Sequence, residues 1–422
     1  MSGELQLTGT ERAMLVGEAG PGVQKAMEIV VALGRIYGAA DLVPVGSVQV
    51  SGVSYKNLGE AGLAFLEAWA AQGARVRVPA TLNPAGMDLI AWRELGFSDA
   101  FAGRQQAVVD AYERLGVRPI CTCAPYLVGH VPTLGQHLAW AESSAVSFAN
   151  SVLGARTNRE GGPSALAAAI VGRTARYGLH LDKNRRATTL VRVECAVSSE
   201  ADLGALGYLV GRRIGNGVPY FRGLDLDTVH SSGEASGNAP HADRLRTLGA
   251  AMAASGAVAL YHVEAVTPES LVGGMLPPGV EEVVVDDLAP GYAALDGAAE
   301  EVDLVSIGCP HASLAEIGSV ASHVAGRRLK AALWVTTARA TRRAAEAAGL
   351  VAIIEAAGGR VVADTCMVVA PVAELGFRTL ATNSAKMAFY TPSHSGLAVR
   401  FGSMEQCLEA AVGGRWPAGR GV

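Results

Sequence analysis

Three cysteines occupy the same kind of position in the chain. Each follows a short apolar run that is typical of a buried strand, and each lies in a loop beside Pro or Thr: Cys123, Cys309 and Cys366. Because the carboxyl ends of parallel strands meet at one edge of a sheet, these loops can converge on one point. Three thiolates there can hold an iron–sulfur cluster or a metal ion and leave a coordination position for a substrate. The alternative is that all three are buried and act as small apolar side chains.

A second candidate lies in residues 139–163. Apolar residues at spacings of three and four predict a helix that ends near Gly154. The other face of this helix carries neutral polar side chains, namely Ser143, Ser147, Asn150 and Ser151. Because a solvated helix face normally carries Lys and Glu, this face indicates either a ligand-binding surface or a buried network.

Two arginines and a Gly-rich helix start follow directly. Arg156, Asn158, Arg159 and Glu160 precede Gly161-Gly162-Pro163-Ser164, which opens an Ala-rich helix. Guanidinium groups beside a helix N-terminus can form a cradle for a carboxylate or a phosphate. The alternative is a helix cap, a turn and a second cap that carry surface ion pairs.

Strand-end loops also deliver lysines and histidines. Lys56 follows one such loop, and Lys386 follows Thr382-Asn383-Ser384. Either lysine can bind an anion, and a desolvated Lys386 can act as a base. The alternative for each is a solvated lysine. His180 and His311 also lie near polar loops, where a single histidine is more often a structural hydrogen-bonding group.

Short apolar runs alternate with helical patterns along the chain, which predicts an α/β protein with parallel or mixed sheets flanked by helices. Strands are predicted at 42–50, 74–79, 118–121, 190–195, 258–263, 283–285, 302–307, 331–335, 360–363 and 378–381. Residues 214–242 are rich in Gly, Pro, Ser and Asn and are predicted to form a loop. The sequence pattern changes after His180, and Pro277-Pro278-Gly279 is typical of a linker. These features predict three segments: 1–186, 187–278 and 279–422.

Composition excludes several classes of protein. The 422 residues carry a formal net charge of −4 and no basic stripe, so nucleic acid is not an expected partner. We expect no membrane span, because no apolar run approaches about 18 residues. The polar N-terminus has no signal-peptide core, and the six cysteines are far apart, so we expect a cytoplasmic protein without a disulfide framework. Cys195 and Cys407 lie in strand and helix contexts and are interpreted as structural.

Seven separated motifs together resemble the aconitase X family, in the expected order from about residue 5 to residue 412. The motifs are Ser51-Gly52-Val53-Ser54-Tyr55-Lys56, Asn83-Pro84-Ala85-Gly86-Met87-Asp88, Trp140-Ala141-Glu142-Ser143-Ser144-Ala145, residues 150–161, Gly308-Cys309-Pro310-His311, Asp364-Thr365-Cys366-Met367 and Thr382-Asn383-Ser384-Ala385-Lys386. One departure is Ala124, where the family motif has Thr.

The resemblance implies an aconitase-like multidomain fold and an iron–sulfur hydro-lyase. Its cluster, 2Fe–2S or 4Fe–4S, or iron alone, would be held by Cys123, Cys309 and Cys366. The implied substrate-binding residues are Ser51, Lys56, Asn83, Ser143, Ser144, Asn150, Arg156, Asn158, Arg159 and Glu160. The catalytic candidates are Lys386, Ser54 and His180.

Two activities are known in the family, and both remove water from a carboxylate substrate. Bacterial members resemble cis-3-hydroxy-L-proline dehydratase, which forms Δ1-pyrroline-2-carboxylate, and archaeal members resemble a dehydratase of mevalonate 5-phosphate. The Ala-, Gly- and Arg-rich composition is typical of a high-GC bacterium and favours hydroxyproline, with mevalonate 5-phosphate as the alternative.

Aconitase-like enzymes close their site with a small swivelling domain that carries a catalytic serine. The family match ends near Cys407, and few residues follow, so we expect a separate small subunit as the partner. Two other classes stay open from the sequence. One is a redox or isomerase enzyme with a single metal ion at the same cysteines, and the other is a non-catalytic metal-containing binding subunit.

Overall fold

The structure is a computed structural model that describes residues 4–227 and 241–417. Four sheets with helices packed around them confirm the predicted α/β class. Three of these sheets are parallel throughout, and the fourth is a two-stranded antiparallel ladder. None of the described helices is both long and apolar enough to cross a membrane.

The first unit contains a small parallel sheet and a two-stranded ladder. Its strands are β1 Leu42–Pro44, β2 Val48–Val50, β3 Ala80–Leu82, β4 Ala139–Trp140 and β5 Arg173–Ala175. Its helices are α1 Gly9–Leu15, α2 Pro21–Ile36, α3 Tyr55–Ala71, α4 Asp99–Arg114, α5 Ser143–Ser151 and α6 Gly162–Val171. The parallel sheet has the order β3-β2-β4, and β1 pairs antiparallel with β5. The buried α6 packs on this sheet, as its Ala-rich sequence allows.

The second unit is a four-stranded parallel sheet in the order β8-β7-β6-β9. Its strands are β6 Thr189–Val193, β7 Pro219–Arg222, β8 His262–Val263 and β9 Glu281–Val285. Its helices are α7 Glu200–Ile214, α8 Ala242–Gly256 and α9 Pro268–Val272. Helices α7 and α8 approach so closely at Gly211 and Gly256 that a Cβ on Gly256 would overlap the Gly211 carbonyl oxygen.

The third unit is a five-stranded parallel sheet in the order β12-β11-β10-β13-β14. Its strands are β10 Leu304–Ile307, β11 Ala332–Thr337, β12 Arg360–Ala363, β13 Thr379–Thr382 and β14 Ala398–Phe401. The remaining helices are α10 Ala289–Leu295, α11 Leu314–Val324, α12 Arg339–Ala347, α13 Leu350–Ala357, α14 Ala385–Ser395 and α15 Met404–Gly413. The five strands are short and largely buried on both faces, which is why they read as apolar runs.

Several predicted strands differ from the observed ones. The predicted strand 42–50 is two strands in different sheets, because Pro44 ends the ladder with β5 and Val48 starts the pairing with β3 and β4. Residues 74–79 are not a strand, and 118–121 contributes only an isolated bridge from Cys121 to Leu82. The predicted loop 214–242 contains β7, and its residues 228–240 lie outside the described part of the chain.

The predicted segment boundary at 279 also differs from the sheet pairing. Strand β9 pairs with β6 along Thr189–Val193, so it completes the second sheet, although the prediction placed it in the third segment. The linker-like Pro277-Pro278-Gly279 therefore connects two parts of one sheet unit.

The polar loops meet where the first and third units face each other. Cys309 and Cys366 follow the carboxyl ends of β10 and β12, and Lys386 lies in the first turn of α14, directly after β13. Cys123 comes from the first unit, just after the bridge at Cys121. The two units are joined there by the hydrogen bond from the Ala85 amide to the Asp364 carbonyl, at 2.7 Å.

Candidate active site

A cavity of about 260 Å³ brings the three candidate cysteines together. Its walls come from the loops of the first and third units and from the starts of α5 and α14. The lining residues are Ser51, Asn83, Pro84, Cys123, Ala141, Glu142, Ser143, Arg159, Cys309, Cys366, Val368, Val369, Lys386, Tyr390 and His394. Strand-end loops from separate parts of the chain thus converge, as the shared context of the cysteines predicts.

The three thiols are buried and interact electrostatically. Burial raises the pKa of the Cys366 thiol to about 12, and the nearby Cys309 adds to that effect. Burial is also the main reason that the pKa of Cys123 and the pKa of Cys309 lie above the usual range. Three thiols in such surroundings become thiolates only when a cation compensates their charge, and iron is such a cation.

Three cysteines that line one cavity are the kind of donor set that iron–sulfur groups use. Within residues 4–227 and 241–417, no three His, Cys, Asp or Glu side chains lie close enough to hold one metal ion. An iron–sulfur cluster is held by cysteine thiolates that bind different iron atoms, so it does not require the ligand arrangement of a single ion. The donor set of three cysteines around one cavity therefore fits an iron–sulfur group.

A buried ion pair lies beside the cysteines. Lys386 Nζ donates to the Glu142 carboxylate and, at 3.3 Å, to the hydroxyls of Ser143 and Ser144. Glu142 also caps α5, because it accepts from the Ala145 amide at 2.8 Å and from Ser144 Oγ at 2.6 Å. These contacts put Ser143, Ser144 and Lys386 in one network, of which Ser143 and Lys386 line the cavity and Ser144 lies behind it.

This pair fixes the charge state of Lys386. Burial alone lowers the pKa of a lysine, but the Glu142 carboxylate outweighs burial and raises the pKa of Lys386. Burial would likewise raise the pKa of Glu142, and Lys386 with the hydrogen-bond donors lowers it instead. Both groups are therefore charged at neutral pH. A lysine that acts as a base must be a neutral amine, whereas this network favours the charged form of Lys386. The catalytic role of Lys386 stays a prediction.

Three polar residues of the first unit form part of the cavity wall. Ser51, Asn83 and Arg159 line it. Among the described residues, Asn83 Oδ1 is buried and has no hydrogen-bond partner, and Arg159 makes no ion pair. Unpaired polar groups at a cavity wall are available to a ligand.

The neighbouring Ser54 and Lys56 are already engaged with the third unit. Ser54 Oγ donates to the Val369 carbonyl at 2.8 Å, and Lys56 Nζ donates at 3.3 Å to the carbonyls of Ala370 and His394. Burial lowers the pKa of Lys56. Lys56 therefore lies at the rim, beside the cavity-lining His394, and Ser54 ties the two units together.

Other predicted site residues belong to a different structure, which we call the Asn150 network: Asn150, Arg156, Asn158, Glu160 and His180. Asn150 Nδ2 donates to the carbonyls of Thr157 and Ala259, each at 2.9 Å, and Asn150 Oδ1 accepts from the Thr157 amide at 3.0 Å. This geometry holds the loop after α5. The five residues do not line the cavity.

The rest of the Asn150 network is also committed to protein partners. Arg156 donates to the His180 carbonyl at 3.3 Å and pairs with Asp182, and Asn158 Oδ1 accepts from the Leu179 amide at 2.9 Å. Glu160 accepts from Ser164 and Thr174, and burial raises its pKa.

His180 is buried at the same place. Its Nδ1 lies 2.9 Å from His137 Nδ1, and burial lowers the pKa of His180 to about 3. The polar face of α5 therefore has two parts. Asn150 belongs to a buried network, and Ser143, at the other end of the helix, lines the cavity.

Glu142 was not among the predicted site residues, although it stands next to Ser143 in one of the seven motifs. An acidic residue that starts an uncharged polar helix is a usable signal, because a carboxylate stabilises a helix N-terminus and needs a cation when buried. Tyr390 and His394 of α14 carried no such signal.

Three family models match the chain, described as the aconitase X first domain at residues 4–183, second domain at 187–289 and third domain at 302–413. The chain belongs to the aconitase X family. A crystal structure of Thermococcus kodakaraensis aconitase X in its holo-form superposes with a TM-score of 0.87 at 45% identity, over 96% of this chain and all of that one. The family resemblance and the fold expected from the sequence are thereby confirmed.

The curated relatives in the aconitase X family are dehydratases. The phosphomevalonate dehydratase large subunit of Methanothermobacter thermautotrophicus is 53% identical over 94% of this chain and 96% of the relative. That of Methanocaldococcus jannaschii is 47% identical over 96% of this chain and its own full length. The cis-3-hydroxy-L-proline dehydratase of Pseudomonas aeruginosa is 40% identical over 98% of this chain but only 71% of its own length. This aconitase X chain is a dehydratase, as predicted.

Proposed function

We propose that this chain is the large subunit of a dehydratase that acts on mevalonate 5-phosphate. This choice departs from the sequence-based preference for cis-3-hydroxy-L-proline, which rested on composition alone. The observation that carries it is the charge of the cavity. Glu142 and Lys386 neutralise each other, and Arg159 remains as an unpaired cation among the described lining residues, with Lys56 at the rim.

The two substrates place different demands on such a cavity. Mevalonate 5-phosphate has a carboxylate and a phosphate, so it requires cations and hydrogen-bond donors. Hydroxyproline has a carboxylate and a ring ammonium, and the ammonium requires a free carboxylate. Glu142 is the carboxylate that lines the cavity, and Lys386 already occupies it. The relatives point the same way, with 53% and 47% identity for the two phosphomevalonate enzymes against 40% for the hydroxyproline enzyme.

An iron–sulfur cluster on Cys123, Cys309 and Cys366 would supply a Lewis acid for the departing hydroxyl. The chain's own residues then bind and orient the substrate. Arg159 and Asn83 line the same cavity as the thiols, and a bidentate guanidinium–carboxylate pair at Arg159 would fix the substrate's orientation. Elimination of water also moves two protons, one away from the carbon next to the carboxylate and one towards the departing oxygen.

Lys386 is suited to the second of these proton transfers. Glu142 holds it charged, and the hydroxyls of Ser143 and Ser144 orient its ammonium group at the cavity wall. We assign the acceptor of the carbon-bound proton to the small partner subunit, because the charged Lys386 cannot accept one and Ser54 is committed to the Val369 carbonyl. The cavity opens to solvent along the rim of α14, where Tyr390 and His394 are partly exposed.

The proposed partner is a small subunit that closes this rim. The phosphomevalonate relatives are named large subunits, and the hydroxyproline dehydratases are longer proteins of which this chain spans 71% and 69%. A lid that excludes water would complete a site whose wall is otherwise open. The loops 51–57 and 382–390 would form part of the docking surface. A cytoplasmic location fits this assignment.

The test is a dehydration assay with the loaded large subunit and its small subunit, run in parallel on mevalonate 5-phosphate and cis-3-hydroxy-L-proline. We expect kcat/KM for mevalonate 5-phosphate to exceed that for hydroxyproline by at least about 100-fold, because an unpaired buried charge disfavours the wrong substrate. The same chain without the small subunit should give no turnover. Product from hydroxyproline alone would overturn the substrate assignment, and full turnover by the chain alone would overturn the partner.

A further inference from the structure

We propose that His311 is a positioning residue that holds the three cysteine loops at the spacing the cluster needs. This inference rests on the proposed cluster at Cys123, Cys309 and Cys366. His311 is 1% exposed and does not line the cavity, so it does not touch a substrate there. It lies behind the cysteines, two residues after Cys309 in the loop that follows β10.

The side chain of His311 joins the other two cysteine loops. Its Nδ1 lies 2.9 Å from the hydroxyl of Thr122, the residue directly before Cys123. Its Nε2 lies 2.8 Å from the carbonyl oxygen of Thr365, the residue directly before Cys366. One imidazole ring therefore spans from the first unit to the end of β12, and its own backbone belongs to the loop of Cys309.

The backbone of His311 adds a direct contact to a ligand. Its amide donates to Cys123 Sγ at 3.2 Å. An N–H group aimed at a thiolate stabilises the charged form and orients the sulfur. His311 thus contacts Cys123 directly through its amide. Its ring contacts Thr122 and Thr365, which precede Cys123 and Cys366, and its backbone continues the loop of Cys309.

The partners fix which ring nitrogen carries the proton. The Thr365 carbonyl can only accept a hydrogen bond, so Nε2 carries the hydrogen in the neutral ring. Nδ1 is then an acceptor, and the Thr122 hydroxyl donates to it. The Thr122 oxygen in turn accepts from the Ala124 amide at 3.1 Å. Each hydrogen bond in this series has a defined donor and acceptor, and together they favour a single relative placement of the loops.

The loop of His311 is itself anchored from the other side. Arg246 Nη1 of α8 donates to the His311 carbonyl at 2.6 Å, and the same guanidinium pairs with Glu316 of α11 and Asp243. Arg246 is 3% exposed, so these charged contacts are made in the interior. The histidine is therefore held at its backbone while its ring holds the two other loops.

A second buried histidine shows what this arrangement adds. His262 of β8 is also fully buried, and its Nε2 lies 2.8 Å from the Arg185 carbonyl. Its Nδ1 has no hydrogen-bond partner among the described residues, and the hydrogen bond of its Nε2 goes to the Arg185 carbonyl rather than to a cysteine loop. Replacement of His262 thus removes a buried imidazole without touching the cluster loops, which makes it a matched control.

The experiment measures how firmly iron is held. Wild type, His311→Ala, Thr122→Val, Thr122→Ser and His262→Ala are loaded with iron and sulfide and analysed for iron and sulfide content, visible absorbance and thermal midpoint. The chelator concentration that removes half of the iron is then determined. For His311→Ala we expect it to fall about 10- to 100-fold, the range for loss of an outer-shell partner of a metal ligand. For Thr122→Val we expect this chelator concentration to fall as well. For Thr122→Ser it should stay near the wild-type value, and for His262→Ala it should stay within about twofold of that value.

Unchanged chelator resistance in a folded His311→Ala would overturn the proposal. If His311→Ala does not fold, Thr122→Val decides, because it keeps the volume of the side chain and removes only the hydroxyl; full resistance there overturns the proposal equally. A wild-type chain that takes up no iron and sulfide, like Cys123→Ala, would instead overturn the cluster itself and this inference with it. Iron lost equally from His262→Ala would show general destabilisation and contradict a positioning role.

Discussion

The two ends of the stretch 139–163 form two different kinds of polar region. At its start, Glu142 and Ser143 line the cavity beside the cysteines, and Lys386 reaches them from the third unit. Further along, the side chains of the Asn150 network bond to protein groups, both backbone groups such as the Ala259 carbonyl and side chains such as Asp182. Both regions are buried and polar. The difference is whether polar atoms are left for a ligand, and this separates a binding wall from a structural network.

The cysteines should show the largest effect. Replacement of Cys123, Cys309 or Cys366 by Ala removes a proposed ligand and should abolish the iron-dependent absorbance and turnover. Cys195→Ala and Cys407→Ala should keep both, because Cys195 does not line the cavity and Cys407 lies in the core of the third unit. Full iron and sulfide content in any of the first three variants would contradict the assignment of that cysteine.

Lys386 should come next. Lys386→Met removes the proposed proton donor, and kcat should fall about 100- to 10,000-fold while iron content is kept. The variant also leaves Glu142 as a buried carboxylate without its cation, so the thermal midpoint should fall as well. The double variant Glu142→Gln with Lys386→Met should recover stability and not activity. Recovery of turnover in the double variant would show that the pair is only structural.

The two arginines provide a direct contrast between the regions. Arg159→Lys should raise KM about 10- to 100-fold, because a lysine cannot replace a bidentate guanidinium on a carboxylate. Arg156→Lys should leave KM within about twofold, since Arg156 is held by the His180 carbonyl and Asp182. Steady-state kinetics on both variants with intact iron content is the measurement. A larger effect at Arg156 than at Arg159 would reverse the roles of the two regions.

Asn150 should affect stability more than catalysis. Asn150→Ala leaves the Thr157 amide and the Ala259 carbonyl without partners, and the free energy of unfolding should fall by about 2–3 kcal/mol. The exposed Asn184→Ala should change it by less than about 0.5 kcal/mol. Denaturant titrations measure both. A loss of kcat in folded, iron-loaded Asn150→Ala would show that the network reaches the reacting atoms.

Much of the site was predictable because strand-end position is a local pattern. Cys309, Cys366 and Lys386 follow short apolar runs, and β10, β12 and β13 are parallel neighbours or near neighbours whose carboxyl ends share an edge. The α/β class followed from the alternation of short apolar runs with helical patterns along the chain. The limits of β12 agree with the prediction because the buried apolar residues 361–363 directly follow the exposed Arg360 and end at Asp364.

The rest depended on long-range contacts that no local pattern contains. Residues 42–50 form one apolar run, and only their pairing with β5 or β3 divides it into two strands. Arg156 and Arg159 are the same residue type in the same loop, and only the presence of Asp182 beside Arg156 separates a structural arginine from a candidate ligand. The partner of Lys386 is 244 residues away, so its charge state could not be read from its own loop.

The most direct test of this division is a crystal structure of the iron-loaded Lys386→Met chain with its small subunit and mevalonate 5-phosphate. The account predicts substrate density in the cavity, with an anionic group within hydrogen-bond distance of Arg159 and the hydroxyl-bearing carbon on the side of Cys123, Cys309 and Cys366. Substrate density beside Arg156, together with no substrate density in the cavity, would contradict the account.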